Sequence, residues 1–315
     1  MSNFKLTTPV VLIIFNRPDT TALVFSEISK AKPKKLFIIS DGPRRNRPDD
    51  IEKIAATRRI IEKIDWECEV ITKFSDENLG CKMGPASGIS WVFEQVEEAI
   101  ILEDDCLPDQ SFFRFCQEML EHYSSDKRIG MISGDNFQFG NSRNSDSYYF
   151  SKYCLIWGWA TWRDRWVNSY DAKLEKWPRI RDEGWLADIL GSVNDVDYWH
   201  EIFERVYSQK LNTAWDYQWF FTNLLEGRLS ITPSVNLISN IGAGEDATHT
   251  KSESSVLNVR SMPLAFPIVH PQGIFRNKKA DEITNQVFFQ LAPSVRLRNK
   301  ILRLRRKIFD RFGFN

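Results

Sequence analysis

A chain of 315 residues is long enough to bury a sizeable core, in one large domain or in two coupled ones. Its 42 basic and 42 acidic residues cancel, so no net charge attracts nucleic acid, which is not expected as a partner. The five cysteines include no Cys-x-x-Cys pair, which argues against a disulfide framework or a zinc knuckle. Because the apolar run after residue 9 is too short for a signal peptide or a membrane span, a cytoplasmic protein is expected.

Strands and helices alternate through the first 135 residues. Apolar, β-branched runs predict strands over 10–15, 36–39, 67–73, 100–103 and 129–133. Helical patterns fall over 19–30, 50–64, 85–97 and 112–123. This alternation is typical of an α/β fold with an open, mostly parallel central sheet that is flanked by helices.

The fourth predicted strand ends abruptly at three consecutive carboxylates, Glu103, Asp104 and Asp105. Side chains alternate along an extended chain, so Glu103 and Asp105 are expected to project one way and Asp104 the other. Adjacent acids repel one another, so the cluster is costly unless a cation or a polar ligand satisfies it. The alternative to ligand binding is an acidic turn exposed to solvent. Arg17 and Asp41 follow the first two strands, and because parallel strands end at one edge of a sheet, a ligand site is expected there.

Several common binding and catalytic motifs are absent from the sequence. No Gly-x-Gly-x-x-Gly opens the first helix, no P-loop motif is present, and no Gly-x-Ser-x-Gly nucleophile turn occurs. The four histidines lack metalloprotease spacing. Because the remaining candidate ligands are hard carboxylates, the sequence favours Mg²⁺ or Mn²⁺ over zinc.

The N-terminal half resembles the glycosyltransferases of the GT-A fold. The resemblance is carried by Asn16-Arg17 and Asp41 after their strands, by Glu103-Asp104-Asp105, and by the helix start Pro108-Asp109-x-x-Phe112-Phe113. The sequence is similar above all to the N-acetylglucosaminyltransferase I type and to bacterial family-2-like sugar transferases. The resemblance covers mainly the first 135 residues. It implies an inverting transferase that uses a nucleotide-diphosphate sugar, with UDP favoured, usually together with Mn²⁺ or Mg²⁺.

The resemblance also implies roles for particular residues. Asp105, the last acid of the cluster, is expected to bind the metal, and Glu103 and Asp104 to contact the ribose or the sugar. Arg17 and Asp41 are expected to hold the nucleotide. A single carboxylate on the metal leaves coordination positions open for both phosphates.

Lys82 and His249 are two further candidates, each with an ordinary alternative. Lys82 stands just after a predicted turn over 77–80, where it either contacts the donor or is solvated. His249, by resemblance to some GT-A enzymes, reaches the metal or the diphosphate; a surface histidine is the alternative. The polar stretch over 241–283 is long and irregular, which is typical of a lid.

The second half is rich in tryptophan, with nine of the eleven falling between residues 157 and 219. Most are expected to fill the core, because indoles are large apolar groups, while Trp157 or Trp159 is expected to line a sugar site. Gly158 lies between them in the sequence and permits a close approach to the backbone. A Gly-Trp segment lines the donor pocket in the enzymes that this sequence resembles.

Asp216 opens an apolar helix that is predicted to run to Leu225, and it is either the general base or the helix N-cap. An inverting transfer needs one carboxylate near the acceptor hydroxyl, and aromatic surroundings raise the pKa of such a group usefully. In the N-acetylglucosaminyltransferase I type, a segment similar to 215–219 carries the base. Asp135, after the fifth predicted strand, is the second candidate.

These patterns predict one catalytic domain over 1–292, with a nucleotide-sugar half over 1–135 and an acceptor half over 136–292. Residues 293–315 are predicted to form a basic amphipathic helix. Its apolar stripe and eight basic residues within 295–312 suit a peripheral contact with an anionic membrane, and docking on its own core or on a second subunit are the alternatives.

The expected partners are therefore a nucleotide-sugar donor and a glycan or lipid-linked saccharide acceptor. The rival enzyme is a sugar nucleotidyltransferase, which normally carries a glycine-rich basic loop after the first strand, where this chain has only Asn16-Arg17-Pro18. The other rival is an inactive module that binds nucleotide sugars or glycans.

Overall fold

The structure is a computed structural model that describes residues 4–191, 193–242 and 259–289. Within these ranges the strands are β1 (Val10–Ile14), β2 (Lys35–Ser40), β3 (Glu69–Phe74), β4 (Glu98–Glu103), β5 (Cys106–Pro108), β6 (Ile129–Ser133), β7 (Tyr148–Ser151), β8 (Trp159–Trp162), β9 (Leu229–Pro233) and β10 (Ile238–Asn240). The helices are α1 (Pro18–Ala31), α2 (Asp49–Arg58), α3 (Gly80–Phe93), α4 (Gln110–His122), α5 (Arg163–Val167), α6 (Trp177–Asp182), α7 (Leu186–Leu190), α8 (Val193–Tyr207), α9 (Asp216–Leu225) and α10 (Lys278–Val287).

An open eight-stranded sheet in the order β3-β2-β1-β4-β8-β6-β9-β7 forms the centre of the molecule. Strands β1 to β4 are mutually parallel, and β6 and β9 run in the same direction, whereas β8 and β7 are antiparallel to their neighbours. The prediction of an α/β fold with a mostly parallel sheet is confirmed. A second sheet pairs β5 with β10.

Both faces of the central sheet are buried, which is why β1 is apolar at every position. One face packs Val10, Leu12 and Ile14 against α1 and α4. The opposite face packs Val11 and Ile13 in a cluster that includes α3 and several tryptophans. Burial of each such aliphatic side chain contributes about 1.5–3 kcal/mol to the stability of the fold. The strands therefore give firm support to the residues that follow their carboxyl ends.

Helices α6 to α9 build a third cluster, rich in aromatic side chains, in the second half of the chain. The prediction that most of the nine tryptophans fill the core is confirmed, since seven of them are buried, and only Trp157 and Trp185 keep substantial exposure. The segment 259–277, predicted as part of a lid, is held along the molecule by main-chain bonds such as Met262 N to Asn236 O and Asn277 N to Phe150 O. Residues 278–283 belong to α10 rather than to a loop.

Two further local predictions differ from the structure. Helix α3 spans Gly80–Phe93 instead of 85–97, because the carboxylate of Asp41 accepts hydrogen bonds from the main-chain N–H groups of Leu79 and Gly80 at its start. The alternation predicted for the three acids stops at Glu103, the last residue of β4, because Asp104 and Asp105 lie in a turn before β5.

Candidate active site

The carboxyl ends of the parallel strands bring several of the predicted residues to one edge of the sheet. Arg17 follows β1 and occupies the N-cap position of α1, Asp41 follows β2, and Asp135 follows β6. Asp104 and Asp105 follow β4, which pairs directly with β1. The predicted convergence of these strand ends on one edge therefore follows from the strand directions.

The acidic cluster is partly neutralised by its surroundings. Arg17 Nη1 pairs with Asp105 Oδ2 at 2.9 Å, and the main-chain N–H of Phe15 donates to Asp104 Oδ2 at 3.0 Å. Asp104 therefore ties the acid turn to the end of β1. Asp105 is the more exposed of the two, and Gly242 lies against it so closely that a Cβ atom there would overlap its carboxylate.

The acids of this cluster do not all ionise easily. Burial, together with the charges of Asp105, Asp104 and Asp216, raises the pKa of Glu103 to about 8, and a hydrogen bond from Trp215 opposes the shift. Burial and the charge of Asp105 also raise the pKa of Asp104, against the favourable field of Arg17. Both shifts follow from burial of the acids and from their mutual repulsion, each of which disfavours the charged form.

Asp41 is engaged within the protein. Its Oδ1 accepts from Gly42 N at 2.9 Å and Leu79 N at 2.8 Å, and its Oδ2 accepts from Asn78 Nδ2 and Gly80 N, both at 2.9 Å. The visible role of Asp41 is thus to hold the loop that starts α3. Its predicted contact with a nucleotide stays a prediction.

Lys82 lies in the first turn of α3, close to that loop. Its side chain is half-buried, and burial lowers its pKa, with no acid among the described residues opposing the shift. A cation in such a position gains from a bound anion, because the opposite charge would compensate for the lost hydration.

The ion pair between Asp50 and Arg44, close to the end of β1, was not predicted from the sequence. Asp50, which is 0% exposed, accepts from Arg44 Nε at 2.7 Å and from Asn16 Nδ2 at 2.7 Å. The Arg44 hydrogen bond lowers the pKa of Asp50 to about 2. The Arg44 guanidinium also lies 5.3 Å from the centre of the Phe15 ring. This network orders the chain between β1 and Arg17.

A cleft in the second half, here called the aromatic cleft, contains both candidate bases. It has an empty volume of about 480 Å³, part of which is open to solvent. Its aromatic walls are Tyr153, Trp157, Trp199, Tyr217, Phe220, Phe288 and Phe289, and its acids are Asp135 and Asp216. Phe288 and Phe289 follow α10, so the C-terminal part of the described chain forms one wall.

Asp216 stands at the first position of α9, and Trp215 occupies the N-cap position. The alternative reading of Asp216 as the helix N-cap is therefore wrong. A carboxylate in the first turn of a helix is stabilised by the helix dipole. The negative charge of Asp216 contributes to the raised pKa values of Glu103, Tyr217 and Tyr170, so this residue acts on both the aromatic cleft and the acidic cluster.

The three residues of the predicted sugar pocket have different surroundings. Trp157 lines the aromatic cleft, and its ring packs edge-on against Phe137 at 5.5 Å. Trp159 is only 1% exposed and stacks on Trp215 at 5.5 Å, so its indole belongs to the core and not to the cleft. Gly158 has φ +69°, and a Cβ there would lie 2.5 Å from the Ile238 side chain, so the close approach that it permits is to β10.

Asp135 is 1% exposed and borders the aromatic cleft. Its Oδ2 accepts from the main-chain N–H of Trp157 at 2.9 Å, whereas its Oδ1 is buried without a partner among the described residues. Burial raises its pKa well above the ordinary range for an aspartate, and the Trp157 hydrogen bond only partly offsets this effect.

The binding of a divalent cation by Asp105 stays a prediction. The available donors are carboxylate oxygens, which suit Mg²⁺ or Mn²⁺. Within the described ranges, no three His, Cys, Asp or Glu side chains are grouped so that they enclose a metal ion. A cation held by Asp105 would therefore need further ligands from outside the described residues, such as water or the phosphate oxygens of a nucleotide.

His249 and the predicted helix over 293–315 lie outside the described residues, as does most of the predicted lid. Gly242, the last described residue before His249, is the residue that lies against Asp105. Among the helices that the structure describes, none is both long and apolar enough to cross a membrane.

Comparison with known proteins gives only distant similarities. No family model matches the sequence, and no curated protein matches it. Residues 1–349 of TarS from S. aureus are similar in structure, with a TM-score of 0.41 and 10% identity over 74% of this chain, which spans 59% of that structure. A cytidylyltransferase from Leptospira borgpetersenii has a TM-score of 0.33 and 9% identity, over 52% of this chain and 63% of that one.

A third solved structure, 4-diphosphocytidyl-2C-methyl-D-erythritol synthase from Anaerococcus prevotii, has a TM-score of 0.30 and 8% identity, over 50% of this chain and 72% of that one. At these scores the similarities carry no argument about function. The structure is that of an α/β protein. At one edge of its central sheet, acidic residues lie beside Arg17, and the aromatic cleft is close to that edge.

Proposed function

We propose that this protein is an inverting glycosyltransferase. It would move a sugar from a nucleotide-diphosphate sugar, with UDP favoured by the sequence resemblance, to a hydroxyl of a glycan or lipid-linked saccharide. The observation that carries the proposal is the position of Asp216, which lines the aromatic cleft and whose charge also raises the pKa of Glu103 in the acidic cluster. Asp216 would thus supply a base for the acceptor beside the edge at which a donor would bind.

On the donor side, the proposal uses the positive groups that surround the acidic cluster. Arg17 is paired with Asp105 at 2.9 Å, and Lys82 is a half-buried cation near the start of α3. Both are suited to neutralise the phosphates of a donor. Asp105 would hold the divalent cation, and Glu103 and Asp104 would approach the ribose or the sugar.

The reaction would be a single displacement. The acceptor oxygen attacks the anomeric carbon while Asp216 takes the hydroxyl proton, and the bond from that carbon to the phosphate oxygen breaks with its electron pair leaving on the diphosphate. Because the attack comes from the face opposite the leaving group, the configuration inverts. When bound, a divalent cation stabilises the charge that develops on the diphosphate.

Hydrolysis of UDP-sugars by the purified protein tests the proposal without a known acceptor, because water can take the acceptor's place. We expect Mn²⁺-dependent release of UDP, preceded by a rise in the thermal midpoint when donor and Mn²⁺ are added together. Asp216→Asn should lower turnover by about 10²–10⁴ and leave donor binding intact. Asp188, an exposed aspartate in the first turn of α7, gives the matched control Asp188→Asn.

Two results would contradict the proposal. The first is a panel of nucleotide sugars that neither stabilises the protein nor is hydrolysed, which would favour an unrelated ligand. The second is normal turnover in Asp216→Asn, which would remove Asp216 as the base and leave Asp135 as the candidate.

A further inference from the structure

Two lining residues of the aromatic cleft carry buried polar atoms without partners. Asp135 Oδ1 and Trp199 Nε1 both lack a hydrogen bond among the described residues, and both side chains belong to the cleft wall. A buried polar atom left unpaired costs about 1–3 kcal/mol, so such atoms call for an explanation. A ligand that both donates and accepts hydrogen bonds would supply the missing partners.

The rest of the cleft restricts the class of that ligand. Its walls are aromatic faces such as those of Trp157 and Phe289, which suit the apolar faces of a pyranose ring. None of the described residues that line it is a lysine, an arginine or a histidine, while Asp216 and Asp135 are both present. An anionic ligand would lose its hydration there without gaining a counter-charge.

We propose that the aromatic cleft binds an uncharged sugar residue of the acceptor, which hydrogen-bonds to Asp135 Oδ1 and Trp199 Nε1. The assignment of this sugar to the acceptor depends on the proposed function, whereas the binding of a neutral sugar does not. Asp135 is then a binding residue and Asp216 the base.

The proposal can be tested on the full chain by saturation-transfer NMR without a donor. The probes are methyl β-D-glucopyranoside and methyl N-acetyl-β-D-glucosaminide as neutral sugars, and methyl β-D-glucuronide as an anionic one. We expect saturation transfer to the neutral glycosides and none to the glucuronide. Asp135→Ala and Trp199→Phe should each weaken binding by about tenfold, which corresponds to the loss of about one hydrogen bond.

The chain offers matched controls for both variants. Trp159 also has a buried, unpaired Nε1 but lies outside the cleft lining, so Trp159→Phe should bind the glycosides as the wild type does. Asp135→Asn keeps a hydrogen-bonding side chain of the same size and should bind within about threefold of the wild type. Thermal unfolding of each variant identifies any that does not fold.

The possible failures are distinguishable. The cleft assignment is overturned if neutral glycosides do not bind, if the glucuronide binds equally well, or if folded Asp135→Ala and Trp199→Phe bind as tightly as Trp159→Phe. Glycoside binding without any hydrolysis of UDP-sugars would retain the cleft assignment and reject the proposed function. Hydrolysis of UDP-sugars without glycoside binding would retain the proposed function and reject the cleft assignment.

Discussion

Replacing Asp41 by alanine should destabilise the fold before it affects any chemistry. The substitution removes the acceptor of four hydrogen bonds, three from main-chain N–H groups and one from Asn78. Because Asp41 is only half-buried, water can rehydrate part of what is exposed, and about 0.5–1 kcal/mol per bond is appropriate. The free energy of unfolding should fall by about 2–4 kcal/mol, and the thermal midpoint by about 4–8 °C.

Differential scanning calorimetry on three variants measures this effect. Asp41→Asn keeps one acceptor oxygen and should fall between the wild type and Asp41→Ala. Asp76→Ala, an exposed aspartate near the same loop, serves as the control and should unfold at the wild-type midpoint. An Asp41→Ala protein that is as stable as the wild type but has lost donor binding would refute the reasoning. It would show that Asp41 serves the nucleotide, as the sequence resemblance implies, rather than the loop.

Two further predictions concern the metal and the C-terminal segment. Asp105→Ala should abolish Mn²⁺-dependent stabilisation by nucleotide sugars and leave the fold intact, and unchanged donor affinity in this variant, with EDTA also harmless, would reject Asp105 as the metal ligand. A chain that ends at Pro293 should float less with anionic liposomes at low salt than the full chain, because each basic residue near such a surface contributes about 1 kcal/mol. Equal recovery of both in the soluble fraction would exclude the membrane contact.

The edge of the sheet was predictable because it depends on local patterns. Apolar runs that stop at polar residues gave the ends of β1, β2 and β4, and the parallel topology then brings those ends together. The start of α3 was not predictable in the same way, because it depends on Asp41, which lies 39 positions before Gly80 and meets it only in the fold. Long-range capping of this kind leaves no local signal.

The parts of the sequence that resemble a family are not all site residues. Asp109 caps α4 by accepting from Ser111 N at 2.8 Å, and Phe112 and Phe113 are fully buried. These motif positions build the helix behind the acidic turn. The tryptophans show a similar limit: Trp159 pairs within β8 and is buried, whereas Trp157 precedes the strand and reaches the cleft. Composition alone could not separate the two.

Asp50 had a signal that sequence reasoning could have used. It lies four residues before Ile54 and seven before Thr57, and these three share the buried face of α2. An acid on a buried helical face requires a cationic or hydrogen-bonding partner. The basic run that contains Arg44 was the nearest source of one, and the structure pairs the two.

That pair makes the stability of the protein depend on pH in a defined range. The folded pKa of Asp50 is lowered from 3.8 to about 2, so the unfolded chain takes up the proton first as the pH falls. The stabilisation is therefore complete above pH 3.8 and is lost between that value and about 2. Because the Arg44 side chain is 44% exposed, solvent screens the pair, and about 1 kcal/mol is a suitable estimate of the pH-dependent part.

Urea unfolding of the wild type and Asp50→Asn from pH 6 to pH 2.5 measures the effect. Asp50→Asn should be less stable near neutral pH, and the difference should shrink as the pH falls below 3.8. Asp49, one residue earlier and 52% exposed in its pair with Lys53, provides the control Asp49→Asn, which should cost little at any pH. A difference between Asp50→Asn and the wild type that stays constant down to pH 2.5 would mean that Asp50 stabilises the protein by packing alone. In that case the ion pair would not be what orders Asn16 and the chain that leads to Arg17.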